Sequence, residues 1–311
     1  MDDVIRIQGL TKHFGTINAV NNLSFTVKKS DIYGFLGQNG AGKSTTIRML
    51  LSLIAPTSGS IEMLGMNLVS NRKEILRRVG AVIEKPDLYK YLTAFENLSI
   101  FARMSRVSAD SKKIMAQLEM VGLADRAHSK VKTYSQGMKQ RLGIAISLVH
   151  DPDLIVLDEP TNGLDPQGIA DIRNLVLHLS HHAGKTILIS SHLLSEIEQI
   201  ANRMLIIDKG NKIVEGTVDE LFSAAKTMVR IETTDDEKAM NYLQQSKWNN
   251  LLLKDKAKHI ILQMHKNDIP FLNADLVQAE IGIVSIQAKN SLEEYFLSLT
   301  ADNQHVAAFK N

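Results

Sequence analysis

Lys43 and Ser44 close the stretch 37-GQNGAGKS-44, in which glycines stand at 37, 40 and 42. Glycines so spaced let the backbone curl until its N–H groups converge on an anion, and the lysine and hydroxyl that follow add a point charge and a metal ligand. The stretch lies between the apolar run 31-DIYGFLG-37 and the helical run 43-KSTTIRMLLSLI-54, the strand–loop–helix context that gives the pattern its meaning. Gly37, Asn39, Gly40, Ala41, Gly42, Lys43, Ser44 and Thr45 are therefore expected to hold a nucleotide. Lys43 is expected to pair with the β and γ phosphates and Ser44 to ligate Mg²⁺. A glycine-rich turn capped by Ser44 is the plainer alternative, and the context stands against it.

Carboxylates and a histidine recur at the ends of other apolar runs. In 154-LIVLDEP-160, Asp158 and Glu159 emerge at the same sheet edge as the glycine loop if the two strands are parallel neighbours. Asp158 is then expected to hold the Mg²⁺ shell, and Glu159 to polarise a water for in-line attack on a γ-phosphate. Alone, the pair reads equally as acids opening a loop. The run 186-TILISSH-192 ends in His192. A lone histidine is more often structural, but beside two phosphate motifs it is expected to donate, as a neutral ring, to the γ-phosphate and to sense hydrolysis. In 79-VGAVIEKPDLY-89 the apolar run stops ahead of Pro86, which leaves Glu84 at a strand's carboxyl end, where open α/β sheets place ligands. A solvated charge at a loop mouth is the bland reading of Glu84. In 134-YSQGMKQR-141, Ser135 is placed to cap a helix and Gly137 to allow close backbone approach. That is a second anion-binding helix terminus, or an ordinary capped helix.

The elements that must position these residues follow from periodicity. Residues 1 to about 30 alternate apolar and polar, as antiparallel strands do. Residues 93–150 carry helical spacing, and a helix over about 167–181 separates the strands 154–158 and 186–190, which implies parallel pairing through a crossover. A hairpin is expected over 203–216 with Gly210 and Asn211 in its turn. Beyond about 225 the pattern becomes strand, helix, two strands, helix, strand, a βαββαβ order that suggests a ferredoxin-like module over 226–311. The expected fold class is α/β: a parallel core sheet with an amino-terminal antiparallel subdomain, a helical subdomain over about 86–150, and a small α+β domain at the carboxyl end.

Composition narrows the class of function. No uncharged apolar run approaches the roughly 20 residues that span a bilayer, so any membrane role is borrowed from a partner. The start, MDDVIRIQGL, has no basic or apolar leader, and with no cysteine in 311 residues disulfide and thiolate chemistry are excluded. A cytoplasmic location fits. The net charge of +2, with acids and bases interspersed, offers no basic stripe for nucleic acid.

Taken in order, these motifs resemble the ATP-binding-cassette (ABC) ATPases, the nucleotide-binding subunits of membrane transporters. The resemblance covers about 1–225: an aromatic base-stacking position at Phe14 in TKHFG, Walker A at 37–44, the Q-loop near 84, the signature at 134–138, Walker B with its glutamate, the D-loop 163-GLDP-166 with Asp165, and the switch His192. It implies that Phe14 stacks on adenine and that Ser135, Gln136 and Gly137 act in trans across a head-to-tail dimer of two copies. It further implies ATP and Mg²⁺ as cofactors, an integral membrane permease as partner, and a location on the cytoplasmic face of the membrane. Two departures stand out. The usual Leu-Ser-Gly-Gly-Gln signature is Tyr134, Ser135, Gln136, Gly137, Met138, and the usual Q-loop glutamine is Glu84, which keeps an acceptor oxygen for Mg²⁺ or water but adds charge that Lys85 offsets. That glutamate and the terminal 291-SLEEYFLSLT-300 resemble the bacitracin-resistance and lantibiotic-immunity exporters. A soluble ABC protein acting on DNA or ribosomes, and a regulatory module without turnover, are the other readings. The missing basic footprint and single cassette oppose the first, and Glu159 with His192 opposes the second.

Overall fold

The computed structural model describes residues 3–224, 227–253 and 260–289. The chain divides into two compact units, Met1–Val218 and Asp219–Asn311, a division at the start of a helix and ahead of the expected boundary near 225.

In the first unit, β1 (Asp3–Phe14) pairs antiparallel with β2 (Ile17–Lys28). Ile5 and Ile7 on one strand, and Leu23, Phe25 and Val27 on the other, are buried at alternate positions, the period of a sheet with one covered face. All five residues of β3 (Ile32–Leu36) are buried, as in a strand covered on both sides. It runs through the glycine loop into α1 (Lys43–Leu50). That helix is shorter than the expected run to Ile54: Ser52 turns left-handed at φ 58°, and the Leu53 and Ile54 amides both return to the Arg48 carbonyl, closing the helix before Pro56.

β4 (Ser58–Met63) and β5 (Met66–Asn67) complete an antiparallel sheet of order β2-β1-β4-β5. After α2 (Arg72–Leu76), β6 (Val79–Ile83) leads into a helical stretch of α3 (Ala94–Met104), α4 (Ser111–Met120) and α5 (Gln136–Ser147). Thr93 and Glu96 start α3 with a reciprocal capping box. Then come β7 (Leu154–Asp158), α6 (Pro166–His181), β8 (Thr186–Ser191), α7 (Leu194–Ile197), β9 (Arg203–Asp208) and β10 (Asn211–Thr217).

The second sheet has the order β10-β9-β3-β8-β7-β6, parallel except for β10. β3 and β7 are thus not direct neighbours, the condition on which the sequence reading rested a shared edge. β8 lies between them, and because all three are parallel, their carboxyl ends still share one edge: Leu36 pairs with Ser191, Asp158 with Ser190, and Ile83 with Asp158. The β9–β10 hairpin turns at Lys209–Gly210, both with positive φ (45° and 81°), rather than at Gly210–Asn211, because Asn211 already pairs with Asp208. One apolar cluster joins the two sheets and α1, with Phe25, Tyr33, Phe35, Ile47, Met49, Val156 and Leu188 among its members.

A helix, α8 (Val218–Ala224), bridges the division. In the second unit, β11 (Thr227–Thr233), α9 (Asp236–Gln245), β12 (Leu252–Leu253), β13 (Ile260–Met264), α10 (Ile269–Gln278) and β14 (Ile283–Lys289) form an antiparallel sheet of order β12-β13-β11-β14 with its own core around Val229, Ile231, Leu243, Trp248, Leu262 and Leu272. The helix expected over 291–300 and the tail after it lie outside the described residues.

Candidate active site

The glycine loop is shaped by constraints that only glycine meets. Gly42 caps α1 at φ 106°, and a Cβ there would stand 2.5 Å from the Ala19 carbonyl oxygen. A Cβ on Gly37 would meet the Ile207 carbonyl oxygen at 2.6 Å. Gly40, at φ 83°, has open space around it and needs glycine for its backbone alone. The loop is also braced from a distance. The Gly210 amide donates to the Ala41 carbonyl at 2.9 Å, and the Gly210 carbonyl accepts from the Asn21 amide at 2.9 Å.

Lys43 opens α1 and is buried. Its Nζ donates to the Gly37 carbonyl at 2.6 Å and the Gln38 carbonyl at 3.3 Å, so the ammonium is folded back under its own loop. It also lies 3.0 Å from Glu159 Oε1, a charge-to-charge contact outside hydrogen-bond alignment. Ser44 and Thr45 follow in the first turn, both half-buried. Asn39 and Ala41 sit in the loop, Asn39 exposed and Ala41 buried.

Asp158 is wholly buried at the end of β7. Ser190 Oγ donates to its Oδ1 at 2.6 Å and accepts from the Glu159 amide at 2.9 Å, so one hydroxyl of β8 fixes both acids. Asp158 Oδ2 is buried with no hydrogen-bond partner among the described residues. Glu159 takes φ 49°, a backbone strain that aims its side chain between Lys43 and His192. His192 Nδ1 lies 2.7 Å from Glu159 Oε2. An ionised carboxylate only accepts, so Nδ1 is the donor; a neutral ring then offers Nε2 as an acceptor alone, and a donation to phosphate through Nε2 requires the imidazolium.

The remaining residues are dispersed around this centre. Glu84, one residue past the partner of Asp158, has φ 55° and is exposed; its Oε1 accepts from Arg48 Nη2 at 2.5 Å, so its partner is α1 rather than the acid pair. Ser135 caps α5 and accepts from the Met138 amide at 3.2 Å, Gln136 opens the helix, and Gly137 is half-buried. Tyr134, in place of the usual leucine, keeps that position buried; its hydroxyl donates to the Arg126 carbonyl at 2.6 Å, and burial raises its pKa. Asp165 caps α6 through the Gly168 amide at 3.0 Å. Phe14 is exposed at the end of β1, with Lys12 Nζ 5.0 Å from its ring centre. Sequence reasoning missed Ser190, Ser191, Glu196 and Arg48; the doubled serine before His192 was the one visible signal for the first two.

A phosphate loop, an acid pair and a histidine on one sheet edge invite comparison with known proteins. The ABC transporter family profile matches residues 20–162. The bacitracin transport ATP-binding protein BcrA of Bacillus licheniformis is 43% identical over 304 residues, covering 96% of this chain and 98% of that one. The chain belongs to the ABC transporter ATP-binding proteins. The lantibiotic transport ATP-binding protein SrtF of Streptococcus pyogenes is 43% identical over 216 residues, covering 70% of this ABC protein and 92% of its own length. An ATP-binding cassette solved as a dimer in a post-hydrolysis state with ADP and Pi superposes with a TM-score of 0.62 at 25% identity, covering 69% of this chain and 98% of that one. The ABC cassette fold and an ATP-hydrolysing activity follow, with the small α+β unit appended. Among the described residues no helix is long and apolar enough to cross a membrane.

Proposed function

We propose that this ATPase is the motor subunit of an exporter, moving a peptide antibiotic or similar compound through a separate integral membrane permease from the cytoplasmic face. The observation that carries the reading is the likeness to BcrA along 98% of that protein's length, joined to an intact Lys43–Glu159–His192 constellation. SrtF, whose name records lantibiotic transport, supports export of the same kind of cargo.

In this reading ATP stacks on Phe14 and lays its phosphates along the loop amides 39–45. Lys43 exchanges its contact with Glu159 for phosphate oxygens, which leaves Glu159 Oε1 to take a proton from the attacking water. His192, already bonded to Glu159, holds that carboxylate in line and meets the phosphate through Nε2. The residues fit a divalent cation. Asp158 Oδ2 is a buried acceptor in want of a partner, and Ser44 stands in the first turn of α1. Such a donor set suits Mg²⁺, which keeps waters and substrate phosphates as most of its ligands and would neutralise charge on the phosphates. Glu84 is a further ligand if it leaves Arg48.

The catalytic unit is a head-to-tail pair of chains. Among the described residues nothing demands a glycine at 137, since an added Cβ would approach only Gly168, at 3.7 Å. A phosphate delivered by a second copy would demand it, and Ser135 is exposed to receive one. We further read the second unit as a ferredoxin-like accessory module, and nucleic acid as no partner. The test is to tag the chain, solubilise host membranes gently and identify what copurifies. A multi-spanning protein is expected; recovery with ribosomes or DNA from the soluble fraction would overturn the transport reading.

A further inference from the structure

The loop that carries Glu159 continues through Thr161 to Asp165, and the strand that carries His192 reaches it through Ser190 and Ser191. These two segments are joined a second time, apart from the Glu159–His192 bond, by a residue of α7. Glu196 Oε2 accepts from Thr161 Oγ1 at 2.5 Å and from Ser191 Oγ at 3.1 Å. Ser191 Oγ also accepts from the Leu193 amide at 3.0 Å, so its one proton is committed to Glu196. The half-buried carboxylate borders a cavity of about 280 Å³ lined by Ile169, Ile172, Ile189 and Ile197 and, on its polar side, by Arg173 and Gln199. Hydrogen bonds from hydroxyls to a carboxylate are strong and directional.

We infer that Glu196 is a positioning residue for ATP hydrolysis, tying the Glu159–Asp165 loop to the His192 strand so that base and histidine meet at 2.7 Å. Its effect passes through Thr161 and Ser191. Freed from it, the loop keeps Asp158 and the Glu159 amide fixed by Ser190, so nucleotide binding persists while the Glu159 side chain loses its alignment. The inference rests on Glu159 being the base.

The test uses the full chain and compares E196A, E196Q, T161V and the E196A/T161V double variant by phosphate release, binding of a fluorescent ATP analogue and thermal melting. Losing a hydrogen bond to a charged group should lower kcat of E196A by about tenfold, with KM and analogue affinity held within about twofold. E196Q keeps an acceptor oxygen on a chain of equal length and should stay within about threefold of the parent. T161V should add nothing in the E196A background, because the one bond it removes is already lost there. Unchanged kcat in E196A, equal losses of kcat, affinity and melting temperature, no rescue by E196Q, or a full extra loss from T161V would each overturn the inference. E159Q is assayed alongside. Turnover surviving in E159Q removes the base itself, whereas a dead E159Q with an unaffected E196A removes only the role of Glu196.

Discussion

Glu159 is gripped from both sides, by Lys43 at 3.0 Å and by His192 at 2.7 Å, on a backbone already in a left-handed conformation. Replacing its carboxylate with an amide preserves the shape and removes the basicity. E159Q is therefore expected to bind ATP and accumulate as a dimer on gel filtration while phosphate release falls by about 10²–10⁴-fold; turnover within tenfold of the parent would remove Glu159 as the base. Gly42 bears on a different property. Alanine there meets the Ala19 carbonyl at φ 106°, so G42A should lower stability by about 1–3 kcal/mol and abolish analogue binding, read by melting and by fluorescence titration. Glu84 has an exposed partner in Arg48, and such pairs contribute about 0–1 kcal/mol. E84Q should leave the melting temperature in place and alter the ATPase rate of the permease-bound chain; an unaltered rate would mean the carboxylate is only tolerated. The types and spacing of residues exposed Lys43, Asp158, Glu159 and His192 to reading from the sequence alone. Ser190 and Glu196 stayed hidden because a hydroxyl or a carboxylate has no meaning until the register between β7 and β8 says what lies opposite.

At the scale of elements, buried parallel strands were the easiest to read, since β3 and β7 are unbroken apolar runs with nothing else to become. Their lateral order was not legible, because β8 enters between them by a crossover whose landing place depends on packing rather than on local pattern. The end of α1 was missed for a related reason: Leu51, Leu53 and Ile54 continue an apolar run, but the left-handed Ser52 turns the chain. A glycine marks another contact between elements. A Cβ on Gly143 of α5 would stand 2.5 Å from Pro86 Cβ, just past Glu84, so the helix begun by Ser135 rests directly on the Q-loop. G143V should therefore cost about 1–3 kcal/mol by overpacking, visible as a lowered melting temperature. Unaltered melting would show that the loop moves aside freely.

The sequence carries one glycine loop, 37–44, and one Ser135–Gly137 helix terminus, the two parts proposed to hold phosphate. In a head-to-tail pair, each site draws on both chains. K43A and S135A are each expected to be inactive alone. Mixed, they should regain part of the activity in phosphate release, because the loop of the S135A chain and the helix terminus of the K43A chain complete one intact site. A mixture as inactive as its components would mean that the two motifs do not serve across chains. The phosphate loop, meanwhile, is held by stretches far apart in sequence, with Gly210 of the β9–β10 turn donating to Ala41 and accepting from Asn21 of β2. Opening the loop must break both bonds, so the amide protons of residues 21 and 210 should exchange with deuterated solvent at a common rate, and ATP should slow both together.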